Sequence, residues 1–515
     1  MSSLPVLAFA ADWVRNWLTP IWIICIGVVC GFLILAAIWG IVVLLGRSST
    51  GAVRQFADDI PIGVREGVLW PITITGGTLC CFALIVWPLA QSPIEILRGV
   101  GDLASGGEVV QGPFKIGTQG NAHQRIDVSI IRDQVQEIRY FSTEDVMISA
   151  LPITEELRLG SIIVYQNDPM VWRSASSSSL PFRSPDDDLP NELTELYVQN
   201  MGDKDAEVYI KTATITTHPE SVAIPITAVS IVVFYLLYFV QRSAFPKLSA
   251  IALATAKSET SSPLFLLVTG VGCIALVVFL YLPYYTFGED IKVLKNASFD
   301  MITVLCSLVA VWGASNSVTE EIEGRTALTV LSKPISRRSF VVGKFVGIVW
   351  SVALMFVVLG LVLLVVVAFK PIFDSRENTE AQPEWQVCYA EMISAVPGLV
   401  LAFMQTVILA SVSVAISTQL PMLANLVICF AVYMMGQLTP LLVQSSVGEF
   451  EPVAFVGQLF ATIFPNLNHF DVQAAVAGGV AVPFIYLGAA LVYCMLYSLI
   501  AMLLALIMFE DRDLA

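Results

Sequence analysis

Apolar residues in this chain fall in long blocks separated by short charged loops, with one polar interruption in the first half. A helix needs about 20 predominantly apolar residues to cross a bilayer. Stretches free of Asp, Glu, Lys and Arg reach that length at Pro20 to Leu45, Leu69 to Leu89, Ser221 to Gln241, Pro263 to Pro283, Met301 to Thr319 and Phe345 to Phe369. A longer run, Met392 to Ser446, divides at Thr418 to Pro421, because proline and its neighbours suit a turn. A last helix is predicted over Pro483 to Phe509, after a Gly- and Ala-rich stretch that includes Gly478 and Gly479. Pro452 to Phe470 is also apolar but is broken by Pro465, Asn466 and Asn468. It fits a re-entrant or interfacial hairpin, since irregular backbone at membrane depth must be shielded by protein.

The interruption, residues 91–220, follows a different rhythm. Ile126, Val128 and Ile130, then Val146 and Ile148, then Ile162 and Val164, alternate with polar neighbours at period two. That is the pattern of half-buried antiparallel strands. Leu196 to Ile210 reads as strand, Gly-containing turn, strand. Ser174 to Pro190, with its serine run and Asp186 to Asp188, reads as a surface loop. The predicted fold class is an α-helical polytopic membrane protein with about nine transmembrane helices, plus an extracytoplasmic all-β, sandwich-like domain. Its divisions are residues 1–90 with two spans, 91–220 as the β-domain, 221–241 as a third span, and 242–515 as a six-helix core.

Composition agrees with the bilayer. The 515 residues are 56% hydrophobic and 13% charged, against about 25% charged in soluble domains, and the mean hydropathy is +0.77. The net charge of −15 comes mostly from the polar segment and short loops. No basic groove for nucleic acid is visible.

Lys and Arg in short loops set the orientation. One set of loops carries twelve: Arg47, Arg54, Arg65, Arg242, Lys247, Lys257, Arg325, Lys333, Arg337, Arg338, Lys344 and Arg512. The opposite set carries five: Arg15, Lys292, Lys295, Lys370 and Arg376. The first set therefore faces the cytoplasm, the N-terminus lies outside, the C-terminus inside, and the β-domain is extracytoplasmic. Ala8 to Ala10 forms an A-x-A-like pattern without a preceding basic region, which leaves a signal-peptide remnant and a plain tail both open.

Several chemistries lack their residues. The sequence contains no G-x-x-x-x-G-K-[ST], no H-E-x-x-H and no G-x-S-x-G. His123, His218 and His469 are far apart, and eight of the nine cysteines, all but Cys388, lie in apolar runs without metal spacing. Neither a metal site nor a catalytic constellation is expected. Charge within the apolar runs is almost absent, and the polar groups there are neutral: Gln405, Asn425 and Gln437. Bonding between helices is their default role. An ion-coupled transporter would place charge at membrane depth, so the energy for any transport cycle is expected from a separate ATPase.

The segment between two spans, 317–344, is the most informative. It holds the carboxylates Glu320, Glu321 and Glu323, then Gly324 and Arg325, a short amphipathic stretch, Leu331, Ser332, Pro334, Ser336, the basic pair Arg337 and Arg338, and Gly343 with Lys344. By residue type alone it reads as a solvated loop with positive-inside anchors. Its order, however, closely resembles the loop between the second and third core helices of type-2 ATP-binding-cassette (ABC) exporter permeases. Arg325 departs from the Gly-Thr that usually follows the acids there. Phe245 to Pro263 resembles the same family's amphipathic elbow helix, Phe464 to Phe470 its Pro-Asn-Leu segment, and Phe509 to Asp513 its Phe-x-x-Arg-Asp terminus. The resemblance covers about residues 245–515.

The resemblance implies a permease subunit in the cytoplasmic membrane. Its partners would be a cytoplasmic ABC ATPase subunit, a second permease half and the lipid bilayer. ATP would be bound by the ATPase, and the chain itself would need no cofactor. Glu320, Glu321, Glu323, Gly324, Arg325, Pro334, Arg337 and Arg338 would form the ATPase-coupling loop. The alternative is a membrane-anchored binding or assembly protein whose β-domain carries the function; an intramembrane enzyme is weaker still.

Overall fold

The structure, a computed structural model, describes residues 12–48, 60–65, 67, 69–105, 108–118, 124–131, 135–150, 162–166, 168, 170–173, 192–202, 204–214, 218–282, 289–319, 336–378, 381–445, 464–471 and 482–510. It divides into two compact units: residues 1–91 with 226–515, and Ser92–Pro225.

The first unit is helical. In order it contains α1 (Asp12–Ser48), α2 (Leu69–Val86), then α4 (Ala223–Ala244), α5 (Pro246–Thr260), α6 (Pro263–Tyr281), α7 (Asp290–Ala314), α8 (Arg337–Glu377), α9 (Trp385–Ser417), α10 (Met422–Ser445) and α11 (Phe484–Glu510). α3 (Pro93–Ser105) belongs to the second unit. Among the described residues, eight helices are long and apolar enough to cross a membrane. The position of the ninth expected span is held by α10, whose shorter apolar portion is Met422–Leu438. The chain is thus a multi-pass membrane protein.

Helix ends depart from the charge-free runs. α7 starts at Asp290 rather than near Met301, α8 continues to Glu377, and α9 begins at Trp385. These extensions carry charges that the run boundaries had placed outside the helices. Lys295 on α7 has a fully buried ammonium paired with Glu391 on α9 and bonded to Ser394 Oγ at 2.7 Å. Lys370 on α8 pairs with Asp374 at 2.7 Å. Charge inside the helices is therefore present, and these two ammonium groups are each paired with a carboxylate. A buried charge is tolerated when it is paired and hydrogen-bonded.

α8 is the hub. Together with α6, α7 and α9 it contributes most of the main apolar cluster, which includes Leu276, Phe299, Met355, Leu359 and Leu363. α5 lies along its first turns, and small residues make that approach possible. A Cβ on Gly347 would sit 2.6 Å from Ala252 O, and one on Gly343 would sit 2.9 Å from Ile251 Cβ. The additional helices attach here too. On α1, Trp17 Nε1 donates to Val365 O at 3.3 Å. On α4, Phe234 and Tyr238 set their rings edge-on to Trp350, whose Nε1 donates to Gln241 Oε1 at 3.0 Å.

Among its described residues the second unit has eight strands: β1 (Glu108–Ile116), β2 (Gln124–Ile131), β3 (Val135–Ser142), β4 (Val146–Ser149), β5 (Ile162–Val164), β6 (Met170–Arg173), β7 (Glu192–Asn200) and β8 (Ala206–Thr214). They form two antiparallel four-stranded sheets, ordered β1-β8-β3-β6 and β2-β7-β4-β5. One buried cluster draws Ile116, Ile138, Tyr140, Val208 and Ile210 from the first sheet and Ile126, Ile148, Val164, Leu196 and Val198 from the second. The alternation seen in the sequence is the inward face of this core. β7 and β8 follow each other closely yet pair in different sheets, so the turn between them passes from sheet to sheet. The unit also contains α3 and a short 3-10 helix, Pro219–Val222.

Candidate coupling end and polar face of the bundle

Of the eight loop residues, Arg337 and Arg338 are described; Glu320, Glu321, Glu323, Gly324, Arg325 and Pro334 lie outside the described residues, as does the serine-rich 174–190 loop. The structure does define both ends of the 320–335 segment. Its entrance is a π-helical turn, Ser315–Thr319, continuing α7. A π turn widens a helix and leaves backbone groups to be satisfied by side chains. Its exit is Ser336, which caps α8 by accepting from Ser339 N at 3.1 Å. The cap fixes where α8 begins and so where Arg337 and Arg338 stand.

Both ends are packed against other elements. Arg337 Nη1 donates to Glu510 O at 3.3 Å, and Arg338 Nη2 lies 3.8 Å from Glu510 Oε1. The Arg338 pair is exposed and contributes little; the buried contact beneath it matters more. The Phe340 and Phe509 rings stack with centroids 5.9 Å apart, and Lys344 Nζ sits 5.6 Å from the Phe340 centroid. The start of α8 is thereby fixed to the end of α11. At the same end, Gln419 Nε2, in the turn between α9 and α10, donates to Met508 O at 2.5 Å. Buried Glu259 on α5 lies close to Gly313, where a Cβ would be 2.9 Å from its Oε2. Elbow helix, π turn, capped α8 and the end of α11 are gathered together.

The π turn is also bonded inward. Asn425 Nδ2 on α10 donates to Ser315 Oγ at 2.7 Å and to Ser413 Oγ on α9 at 2.9 Å. Cys429 Sγ lies 3.2 Å from Asn425 Oδ1. One buried amide thus ties three helices at the point where α7 gives way to the loop. The sequence had marked Asn425 as a bonding residue, but not its partners, because Ser315 and Ser413 look like any other serines in an apolar run.

Gln405 and Gln437, the other two neutral polar residues, meet in a cleft with Asp300, Thr303, Tyr433 and Asp471. Sequence reasoning missed Asp300 because it sits one residue before the charge-free run that begins at Met301. Asp471 follows the Pro-Asn-Leu segment. That segment ends in a 3-10 turn, Leu467–Phe470, held by Asn466 N donating to Tyr493 OH at 3.0 Å and Tyr486 OH donating to His469 O at 2.5 Å. Leu467 rests on α10 at Gly436, where a Cβ would come 2.7 Å from both Leu467 Cγ and Pro465 O. Glycine at 436 is what allows this irregular backbone to lie flat on the helix. Among the described residues no cluster of His, Cys, Asp and Glu suits a metal ion.

No curated protein matches the chain. Residues 275–514 match the family model of the ABC-2 family transporter protein. The match takes in the end of α6, all of α7 to α11, residues 320–335 and the Pro-Asn-Leu segment, so residues 275–514 form a region that matches an ABC-2 type permease domain.

Proposed function

We propose that this chain is the membrane-spanning permease subunit of an ABC exporter. ATP is bound and hydrolysed on a separate cytoplasmic subunit, and a second permease half completes the substrate path. The N-terminus lies outside, the C-terminus in the cytoplasm, and the unit Ser92–Pro225 is extracytoplasmic. The observation that carries this reading is the convergence at one end of the bundle. The loop leaves from a π turn bonded to α9 and α10 through Asn425 and returns at a capped helix stacked on α11. A segment anchored so at both ends can pass a displacement of residues 320–335 to five helices, α7 to α11.

The experiment is a charge reversal in the loop. Glu320→Lys with Glu323→Lys adds repulsion as well as removing attraction. The variant is expected to insert normally, because these residues lie outside the charge-free apolar runs of the sequence, and to lose both co-purification with the ATPase and transport. Close charge pairs at an interface carry enough coupling that a loss of about tenfold or more in association is expected. Retention of association and transport together overturns the coupling role.

A second reading is favoured by the separate core of Ser92–Pro225: the chain is an anchored binding or assembly protein. Deleting 92–225 distinguishes the two. A full-length chain that supports no ATP-driven transport, and that loses an extracytoplasmic partner on the deletion, selects the second; ATP-driven transport by the full chain selects the first.

A further inference from the structure

Two openings in the helical unit meet at Tyr433. One is a polar cleft of about 20 Å³ bordered by Asp300 and Thr303 on α7, Gln405 on α9, Gln437 on α10, and Asp471. The other is an apolar groove of about 270 Å³ bordered by Val304 and Leu308 on α7, Leu409 on α9, and Leu426 and Phe430 on α10. Tyr433 lines both. The positions recur every three or four residues on each helix, so the openings occupy one continuous face. That face is graded, with carboxylates and amides at one end and hydrocarbon at the other. Beyond the hydrocarbon end lies the Asn425, Ser315 and Ser413 network.

The polar end selects charge and size. Two carboxylates border it and none of its lining residues is basic, so its field favours a cation. Asp300 lies on α7 immediately before the charge-free run that begins at Met301, and carboxylates that border an interior cavity of a membrane bundle mark ligand or ion sites. Phe299 and Phe470 also line the cleft, and aromatic faces attract cations. The volume holds about one water, which suits an ammonium group and is too small for a quaternary one. Gln405 is 5% exposed and its Nε2 has no hydrogen-bond partner. A half-turn of that amide replaces the donor with its carbonyl oxygen, giving the cleft a further acceptor for N–H groups.

We propose that cleft and groove together bind one ligand, an amphiphile with a primary ammonium head and a hydrocarbon chain. The head lies between Asp300 and Asp471, and the chain lies along Val304, Leu308, Leu426 and Phe430. As the cargo site of the permease the assignment rests on the transport reading above; the binding does not.

The test uses the full chain in nanodiscs without any ATPase. It is photo-labelled by a dodecylamine derivative carrying a diazirine on its chain, with empty nanodiscs as the reference for partition. Labelling is expected on α7 and α10, and dodecylamine should compete at about tenfold lower concentration than dodecanol or dodecyltrimethylammonium. Asp300→Asn and Asp471→Asn should each weaken dodecylamine competition about tenfold, with melting temperature recorded to show folding. The Glu320→Lys, Glu323→Lys variant should label as the wild type does, which separates binding from coupling. Equal competition by the alcohol, folded Asn variants that bind normally, or cross-links between two copies at Phe430 in place of ligand labelling each overturn the proposal. Should the Asn variants fail to fold, the head-group comparison on the wild type decides.

Discussion

Asn425 on α10 donates through Nδ2 to Ser315 Oγ, 110 residues earlier in the chain, at 2.7 Å. Ser315 is the first residue of the π turn that leads into the 320–335 loop. Side-chain bonds between membrane helices contribute about 0.6 kcal/mol on average and up to about 1.7 kcal/mol. Asn425 makes two such bonds, so Asn425→Ala is expected to destabilise the detergent-solubilised protein by about 1–2 kcal/mol. Transport should fall further than that loss explains, while association with the ATPase persists. A variant with wild-type transport rules out the network as the link between loop and helices.

Gly436→Ala tests the seat of the Pro-Asn-Leu segment. Its new Cβ would meet Pro465 O at 2.7 Å, a backbone atom that cannot swing aside. Overpacking of this kind costs about 1–3 kcal/mol, to be read as a lowered melting temperature. Gly488→Ala on α11 is the control, because a Cβ there has nothing within 4 Å. Equal melting temperatures for the two variants contradict the packing described.

Orientation is tested by cysteine labelling. In a background with Cys81 replaced by serine, Ser176→Cys should react with an impermeant thiol reagent added outside, and Arg338→Cys only after permeabilisation. The reverse pattern inverts the topology.

The unit Ser92–Pro225 should be soluble and give a β-rich circular-dichroism spectrum when expressed alone, since its strands bury a common core. Within it, Ile138→Ala removes a fully buried side chain and is expected to cost about 2–5 kcal/mol in urea unfolding. A helical or unfolded spectrum shows that the core needs the rest of the chain.

Each apolar run predicted as a span lies within or over a helix, because length and hydropathy are local properties; most of the Pro452 to Phe470 run lies outside the described residues. Helix ends were less legible. Runs were bounded by charge, yet Lys295 lies inside α7, and what makes this possible is Glu391, 96 residues away. A pairing over that distance leaves no local mark. Gln405 and Asn425 stood out as polar residues in apolar surroundings, but one is a tie between helices and the other faces a cleft. Chemistry alone cannot separate those roles; the positions of Ser315, Ser413 and Asp300 do. In the β unit the inward positions were legible from period two, whereas the assignment of β7 and β8 to opposite sheets depends on β1 to β4. The charge reversal in the loop bears on the part that only resemblance had identified.

α8 has 41 residues, so it is about 60 Å long, twice the hydrocarbon thickness of about 30 Å. A rod of that length works as a lever. Tilting it by about 10° around its Arg337 end carries the Glu377 end through about 10 Å. The pivot end is gripped by α5 and by Phe509; farther along, the rings of Trp13 and Trp17 lie against Phe369. Any tilt therefore either drags α1 along or shears those rings past Phe369. The helices added ahead of the permease domain thus determine how far a small push at one end can travel to the other.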